Sequence, residues 1–222
     1  MDEDPASCIS LTDTKRQKCM AYVKGKQTKA AQSKRDACAN SLINVVGGVI
    51  FSALKSSMTP RDRLGNQYMV NCIDHRSSYC RVFLSKTKDA VALKLKLFMA
   101  SFEREFKFKI HVLRTDGGGG HKTIKLFCST EGILRQVSEA RNQASNAMAE
   151  RMHRTIMNMV RSMVFASNIP LSFWGDAAEY AAYISIRGRT KSNPEGLSPV
   201  AFLTSKAAVL KDTVAFGSTC TT

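Results

Sequence analysis

The stretch that most constrains how this chain folds runs from residue 109 to residue 154. It opens on residues 110–113, a short apolar run with β-branched residues that predicts a strand. Asp116 follows that strand closely and is itself followed by four consecutive glycines. Glu150 comes 34 positions after Asp116, near the start of the best-patterned helix of the chain. Two such acids can meet at one edge of a sheet, where paired carboxylates hold divalent cations for phosphoryl transfer.

Hydrophobic periodicity predicts the remaining elements. Apolar residues recur on one continuous face in several segments, which is typical of helices that pack on a sheet. The predicted helices cover residues 87–106, 121–130, 146–167 and about 171–186. The predicted strands begin near residues 43, 68, 80, 110 and 133, with one more candidate at 213–217. Strands and helices that alternate in this way indicate a mixed α/β fold.

Composition bounds the class of protein. At 222 residues, with 44% hydrophobic and 23% charged residues, the chain predicts one globular domain with a good core. No apolar run is long enough to span a bilayer, and the acidic N-terminus is unlike a secretory signal. Seven cysteines without framework spacing then indicate reduced thiols and an intracellular setting.

The formal net charge of +15 favours a polyanionic partner, and nucleic acid is the obvious one. A membrane-surface role is disfavoured, because the basic residues are spread along the chain rather than gathered on one amphipathic helix. Solubility alone is the alternative explanation of the charge.

Three motifs, in order, resemble those of one protein family. Residues 113–118, Leu-Arg-Thr-Asp-Gly-Gly, resemble the second-aspartate motif of copia-type retrotransposon integrases. Residues 146–155 resemble the glutamate motif of that family, and residues 173–178 resemble the segment that follows it. The resemblance covers roughly residue 19 to the end of the chain. It implies a ribonuclease-H-like fold, an α/β architecture with a mixed five-stranded sheet flanked by helices.

The resemblance also implies the chemistry of a site. Members of the family bind two magnesium ions with three carboxylates and use them in 3′ processing and strand transfer of DNA. Asp116 and Glu150 match the second and third carboxylates, so they are the predicted catalytic and metal-binding residues. Magnesium, or manganese in its place, is the only cofactor that this predicts. The bland alternative for Glu150 is an ion pair with Arg154, four residues along the same helix.

The first carboxylate of the family has no clear counterpart here. The family places it on the first strand, and residues 44–49 have valine where the acid is expected. No Asp or Glu lies between Asp36 and Asp62. Asp74, at the end of the next strand, is a weak candidate for the missing ligand. Two carboxylates hold hard cations less firmly than three, so catalysis is expected to be lost or weak.

DNA is the partner that the resemblance implies, through the loop before the glutamate helix and through the helix itself. No membrane or small-molecule partner is expected, a homo-oligomer is left open, and a functional protein would act in the nucleus. The predicted nucleic-acid-binding residues are Arg141, Gln143, Asn146, Arg151, Arg154 and Arg161.

Domain organisation follows the same resemblance. Residues 1–40 are predicted to be a basic, loosely ordered remnant of a zinc-binding pre-integrase segment. No zinc is expected there, because Tyr22 stands where a cysteine ligand belongs and no histidine precedes Cys19. Residues 41–187 form the predicted integrase-like core, and residues 188–222 a loop-rich C-terminal extension.

The sequence therefore predicts a degenerate integrase core from the Pol polyprotein of a transposable element. DNA integration and nucleic-acid binding would be inherited, and the polynucleotidyl-transferase activity lost or weak. Two alternatives stand beside this prediction: a co-opted, non-enzymatic DNA- or protein-binding module, and a non-functional relic of a retroelement.

Overall fold

The computed structural model of the chain describes residues 42–55, 57–115, 121–137, 146–211 and 213–218, without the side chains of residues 121–123. All of these residues belong to one unit of the chain, Asp36–Thr222. The strands among them are β1 (Val49–Lys55), β2 (Tyr68–Asp74), β3 (Cys80–Ser85), β4 (Val112–Thr115) and β5 (Leu134–Val137). The α-helices are α1 (Asp89–Phe106), α2 (His121–Thr130), α3 (Ala147–Ser167), α4 (Trp174–Ser185) and α5 (Pro199–Thr204).

The strands form one mixed sheet in the order β3-β2-β1-β4-β5. The pairs β3–β2 and β2–β1 are antiparallel, whereas β1–β4 and β4–β5 are parallel. The sheet thus has an antiparallel half, β3-β2-β1, and a parallel half, β1-β4-β5, which share the central strand β1. This confirms the predicted α/β class with a five-stranded mixed sheet, which is the arrangement of a ribonuclease-H-like fold.

The core lies on both sides of the central strands. Six consecutive residues of β2, from Met69 to Asp74, are buried, so this strand is covered on both faces of the sheet. α1 buries the face that its periodicity predicts, and this face includes Phe98, Phe102 and Phe106. Tyr79, just before β3, packs edge-on against Phe106 with ring centroids 4.9 Å apart. No helix in the described ranges has the length and apolarity that a membrane span requires.

β1 begins later than the sequence predicts. Residues Leu42–Asn44, near the expected start of the first strand, form a short 3-10 helix. Gly47, at a φ of +74°, and Gly48 then bring the chain against the main chain of Lys109 and Leu42, where neither position has room for a Cβ. The strand begins only at Val49, so residues 44–48 of the segment in which the sequence places the first carboxylate lie before it.

The segment at 173–178 fixes the start of α4 against the loop that follows β1. The indole Nε1 of Trp174 donates to the carbonyl oxygen of Pro60 at 2.9 Å. Arg63 forms a two-pronged ion pair with Asp176, at 2.7 and 2.6 Å. Gly175 packs so closely against Asp62 that a Cβ would overlap its carboxylate. These contacts explain the residue types of the motif as packing requirements.

The end of the chain differs from the prediction in two respects. The candidate strand at 213–217 is wrong: these residues do not join the sheet, and Val214 hydrogen-bonds through its main chain with the Tyr180 hydroxyl. A short helix that the sequence did not predict, α5, begins after Ser198, whose hydroxyl accepts from the Ala201 amide at 3.2 Å.

The residues after α4 contact the β2–β3 turn. The side-chain nitrogen of Asn193 donates to the carbonyl oxygen of Ser77 at 2.9 Å, and Asn193 is buried. The guanidinium of Arg76 lies 4.7 Å from the ring centroid of Phe202 in α5. This turn is therefore covered by a part of the chain more than a hundred residues away in sequence.

Candidate functional site

The pairing of β1 with β4 shows which residues of the two strands lie next to each other at the candidate site. Ser52 is the partner of Thr115, the last residue of β4. Asp116 comes next in sequence, and it lies outside the described residues. On β1 the residue that follows Ser52 is Ala53, which is 7% exposed. The β1 position one residue beyond the Ser52–Thr115 pair therefore carries a methyl group and no carboxylate.

Asn71 links this point of β1 to α3. Its side-chain oxygen accepts from the Ala53 amide at 3.1 Å, and its side-chain nitrogen donates to the carbonyl oxygen of Ala149 at 2.7 Å. Both groups of the amide are thereby satisfied, and Asn71 has no exposed surface. Since Glu150 follows Ala149, this one side chain places the helical acid close to the β1 position that lacks one.

A second amide fastens the same helix end. The Asn146 side chain precedes α3, is 1% exposed and donates to the carbonyl oxygen of Ser52 at 3.0 Å. In the structure this predicted DNA contact is thus directed into the protein, and its binding role stays a prediction. Arg141 and Gln143, the loop residues predicted to contact DNA, lie outside the described residues.

Glu150 and the arginines of α3 are exposed. Glu150 lies in the first turn of the helix, and no ion pair joins it to Arg154 in the structure. Positions 151, 154 and 161 share the same outward side, within about 100° of the helix circumference. We call Arg151, Arg154 and Arg161 the basic face of α3; all three are exposed. The structure therefore presents the predicted helical DNA contacts together with Glu150.

Asp74 occupies a different place. It pairs with Ile50, three residues before Ala53 and so about 10 Å away along β1. Its carboxylate accepts from the Gly47 amide at 2.8 Å, and from the Ser77 amide and hydroxyl at 2.8 and 2.6 Å. Burial raises the pKa of this carboxyl, and the Ser77 and Gly47 hydrogen bonds oppose the shift. These contacts give Asp74 a structural role in closing the turn after β2.

His153 is a half-buried polar residue that the sequence reasoning did not single out. It lies three residues after Glu150, hence on the neighbouring turn of α3. Its Nε2 is buried and has no hydrogen-bond partner among the described residues. Burial lowers its pKa to about 4, and the positive charge of Lys55 acts in the same direction. The only feature of the sequence that points to His153 is its spacing of three residues from Glu150.

The described donor groups do not fit a pair of divalent cations. Buried oxygens without a partner are present at Thr115 Oγ1 and Asn146 Oδ1, but both are neutral. Hard cations bound in pairs require several carboxylates, and only Glu150 is described at this edge of the sheet. Within the described ranges, no three His, Cys, Asp or Glu side chains gather as metal ligands do. Cys19 and Tyr22, on which the zinc prediction rests, lie outside those ranges.

Comparison with known proteins identifies relatives but no matching family model. The chain is 36% identical over 138 residues to the retrovirus-related Pol polyprotein from transposon TNT 1-94 of Nicotiana tabacum, covering 61% of this chain and 10% of that relative. It is 27% and 26% identical over 118 residues to the Pol polyproteins from transposons RE2 and RE1 of Arabidopsis thaliana. These matches cover 53% of this chain and 8% of each relative. The chain thus spans only a small part of the length of these relatives.

Proposed function

The chain is related to a segment of the retrovirus-related Pol polyproteins of copia-type transposons, and we propose that it binds nucleic acid as an integrase-like core that no longer joins DNA. One observation carries the proposal. The basic face of α3 is intact beside Glu150, whereas the adjoining position of β1 is Ala53. A surface for phosphates is kept, and a ligand for the catalytic cations is missing.

The binding half of the proposal rests on charge and exposure. Arg161 lies eleven positions after Glu150 on the helix, which is about 17 Å along its axis. Arg161 donates to the side-chain oxygen of Asn158 at 3.1 Å, an uncharged partner that leaves its positive charge in place. The two ion pairs found in the described part of the chain, Arg63–Asp176 and Lys109–Glu103, do not involve this helix. Uncompensated arginines on one helix side suit the phosphates of a duplex.

The catalytic half rests on the strand register. Two-metal phosphoryl transfer requires two ions held about 4 Å apart, one on each side of the phosphorus. A displacement of about 1 Å in such a site lowers the rate by roughly a hundredfold. With Ala53 on β1, and with Asp74 hydrogen-bonded at the far end of β2, no described acid compensates for the missing ligand. The inherited reaction is therefore expected to be absent or very slow.

Nucleic-acid binding is tested with a fluorescent DNA duplex and the purified chain over a series of salt concentrations. We expect sequence-tolerant binding that weakens steeply with salt, because each neutralised phosphate releases counterions. An affinity that does not change between low and high salt would rule out binding through the basic face.

Catalysis is tested with an oligonucleotide joining assay in magnesium and in manganese. We expect no joining with magnesium and at most weak nicking with manganese. The control is Asp116→Asn, which removes a predicted ligand without changing the size of the side chain. Robust joining by the unchanged protein that disappears in this variant would contradict the loss of catalysis.

A non-functional relic remains the rival explanation, and the buried polar groups do not decide between the two. Asn71 and Asp74 are fully buried and hydrogen-bonded within the fold. Thr115 Oγ1, Asn146 Oδ1 and His153 Nε2 are buried without a partner among the described residues. Each buried group without a partner destabilises a fold by about 1–3 kcal/mol, so the stability of the chain is the quantity to measure. Cooperative thermal unfolding of the purified chain would support a maintained fold, and a broad, non-cooperative transition would support the relic.

A further inference from the structure

The last turn of α3 carries an aromatic side chain that the core does not use. Phe165 is 76% exposed, the largest exposed fraction among the large apolar side chains in the described ranges. It lies outside the hydrophobic core, although its neighbour Val164 is buried there. A single exposed apolar side chain is common on protein surfaces, so the position of the ring decides whether it belongs to a site.

Phe165 continues the basic face of α3. Arg154, Arg161 and Phe165 fall within about 40° of the helix circumference, and all three are exposed. Phe165 comes one turn, or about 6 Å, after Arg161 along the helix axis. Glu150 is about 22 Å away from it along the same axis, so the ring lies apart from the candidate metal site. A ligand that follows this side of the helix therefore meets the arginines first and then the ring.

The charges of α3 indicate which kind of ligand fits this order. Glu150, in the first turn, is the only acid of the helix, and the last turn has no basic residue. A polyanion is attracted along the arginines. At the C-terminal end the helix dipole presents partial negative charge, which disfavours a phosphate beside Phe165 and leaves an uncharged ring as the better partner. A nucleotide offers both a phosphate and such a ring.

Only an unpaired base can present the face of its ring to a side chain. In a duplex the bases are stacked on one another, and only their edges are exposed in the grooves. Unpaired bases stack on aromatic side chains with little dependence on sequence, and loss of one such contact weakens binding by about tenfold. The spacing of about 6 Å between Arg161 and Phe165 suits one nucleotide, with its phosphate at the arginine and its base at the ring.

We propose that Phe165 is a base-stacking site, through which this surface takes nucleic acid with an unpaired stretch in preference to an uninterrupted duplex. The ligand is an unpaired DNA or RNA strand, whose phosphates contact Arg154 and Arg161 and one of whose bases stacks on the ring. The inference rests on the nucleic-acid binding proposed above and names the form of nucleic acid that binds best. An uninterrupted duplex still binds through its phosphates, with one contact fewer.

The test compares three fluorescent duplexes in binding titrations with the purified chain. One duplex is uninterrupted, the second has a central gap of unpaired thymidines, and the third has the same gap with abasic nucleotides. The abasic gap keeps the phosphates and the flexibility of the strand but offers no base. The unchanged chain should bind the thymidine gap about tenfold more tightly than the abasic gap. The same gap made of uridine ribonucleotides distinguishes an RNA strand from a DNA strand.

Variants of the ring and of the arginine beside it should have different effects. Phe165→Ala should abolish the preference for the thymidine gap, and Phe165→Trp should keep it. Phe165→Leu is the matched control, because it keeps an exposed apolar side chain without an aromatic face, and it should lose most of the preference. Arg161→Ala should weaken binding to all three duplexes alike. Phe108→Ala removes an aromatic side chain that is 38% exposed elsewhere and should leave the preference unchanged.

Fluorescence gives a second measurement of the same contact. Trp174 is the single tryptophan of the chain and is 2% exposed, so Phe165→Trp adds one exposed fluorophore. Its emission should be quenched by the thymidine gap and not by the abasic gap. Salt-dependent binding that is equal for the two gaps, or a preference that survives in Phe165→Ala or Phe165→Leu, overturns the stacking site and leaves the proposed function standing. A chain that binds none of the duplexes overturns both.

Discussion

The side-chain nitrogen of Asn71 donates to the carbonyl oxygen of Ala149 at 2.7 Å, although the two residues are 78 positions apart in sequence. The same side chain accepts from the amide of Ala53 on the neighbouring strand. One neutral amide thus holds the strand and the helix on which the candidate site depends. Because this linkage needs no cation, the local geometry is fixed by the protein alone.

Asn71→Ala should therefore destabilise the fold. It removes the acceptor of the buried Ala53 amide and one donor to the Ala149 carbonyl, and a buried group left without its partner costs about 1–3 kcal/mol. We expect the free energy of unfolding, measured with urea, to fall by about 2–4 kcal/mol. The control is Asn158→Ala, which removes an exposed side-chain amide from α3. It should change the free energy of unfolding by less than about 0.5 kcal/mol.

Ala53→Asp should create a response to divalent cations that the unchanged protein lacks. A charged group at this buried position destabilises the fold in chelator, because ionised carboxylates resist desolvation. Manganese should then recover much of the lost thermal stability if Asp116 and Glu150 supply the other ligands. Ala53→Asn is the uncharged control. Recovery that persists after Asp116→Asn is added would show that the cation binds elsewhere.

Arg154→Ala together with Arg161→Ala should weaken duplex binding and flatten its dependence on salt. Each phosphate contact contributes about 0.9 to the slope of log affinity against log salt, so two lost contacts reduce it by up to about 2. The measurement is the fluorescence titration repeated at four or more salt concentrations. Arg61→Ala with Arg81→Ala removes the same charge from other exposed positions and should reduce the slope by less.

His153 should make the stability of the protein depend on pH. Its pKa falls from an ordinary value of 6.5 to about 4 on folding, mainly through burial. The unfolded chain therefore binds more protons in this window, so stability is fully present above 6.5 and decreases as pH falls towards 4. His75, whose pKa burial also lowers, acts in the same direction. His153→Gln should flatten the pH profile of unfolding, and an unchanged profile would contradict the burial of this ring.

The elements with strong periodicity could be predicted from the sequence, whereas the register between them could not. The buried aromatic face of α1 and the helix that carries Glu150 follow from apolar spacing alone. The start of β1 does not, because Gly47 and Gly48 act through contacts with distant main-chain atoms. For the same reason Ala53 becomes recognisable as the strand position that follows the Ser52–Thr115 pair only from the observed register.

Asp74 illustrates a second limit. An acid at a strand end has the same sequence signature whether it binds a cation or closes a turn. In the structure three donors, from Gly47 and Ser77, hold its carboxylate in the turn, and two of them lie within three residues of Asp74. Asn146 is similar, since its motif predicts an exposed contact and its side chain is buried against Ser52. Short polar side chains near a helix start satisfy main-chain groups as readily as they meet ligands.

The hydrogen bond between Asn193 and Ser77 has a consequence for anyone who shortens this chain. Removing everything after Arg187 would take away the donor to the Ser77 carbonyl and the aromatic partner of Arg76. Water would then reach the turn whose Ser77 hydroxyl holds the carboxylate of Asp74. Because the Gly47 amide donates to the same carboxylate, such a truncation would also loosen the residues that lead into β1. The shortest fragment that folds should therefore extend at least to α5.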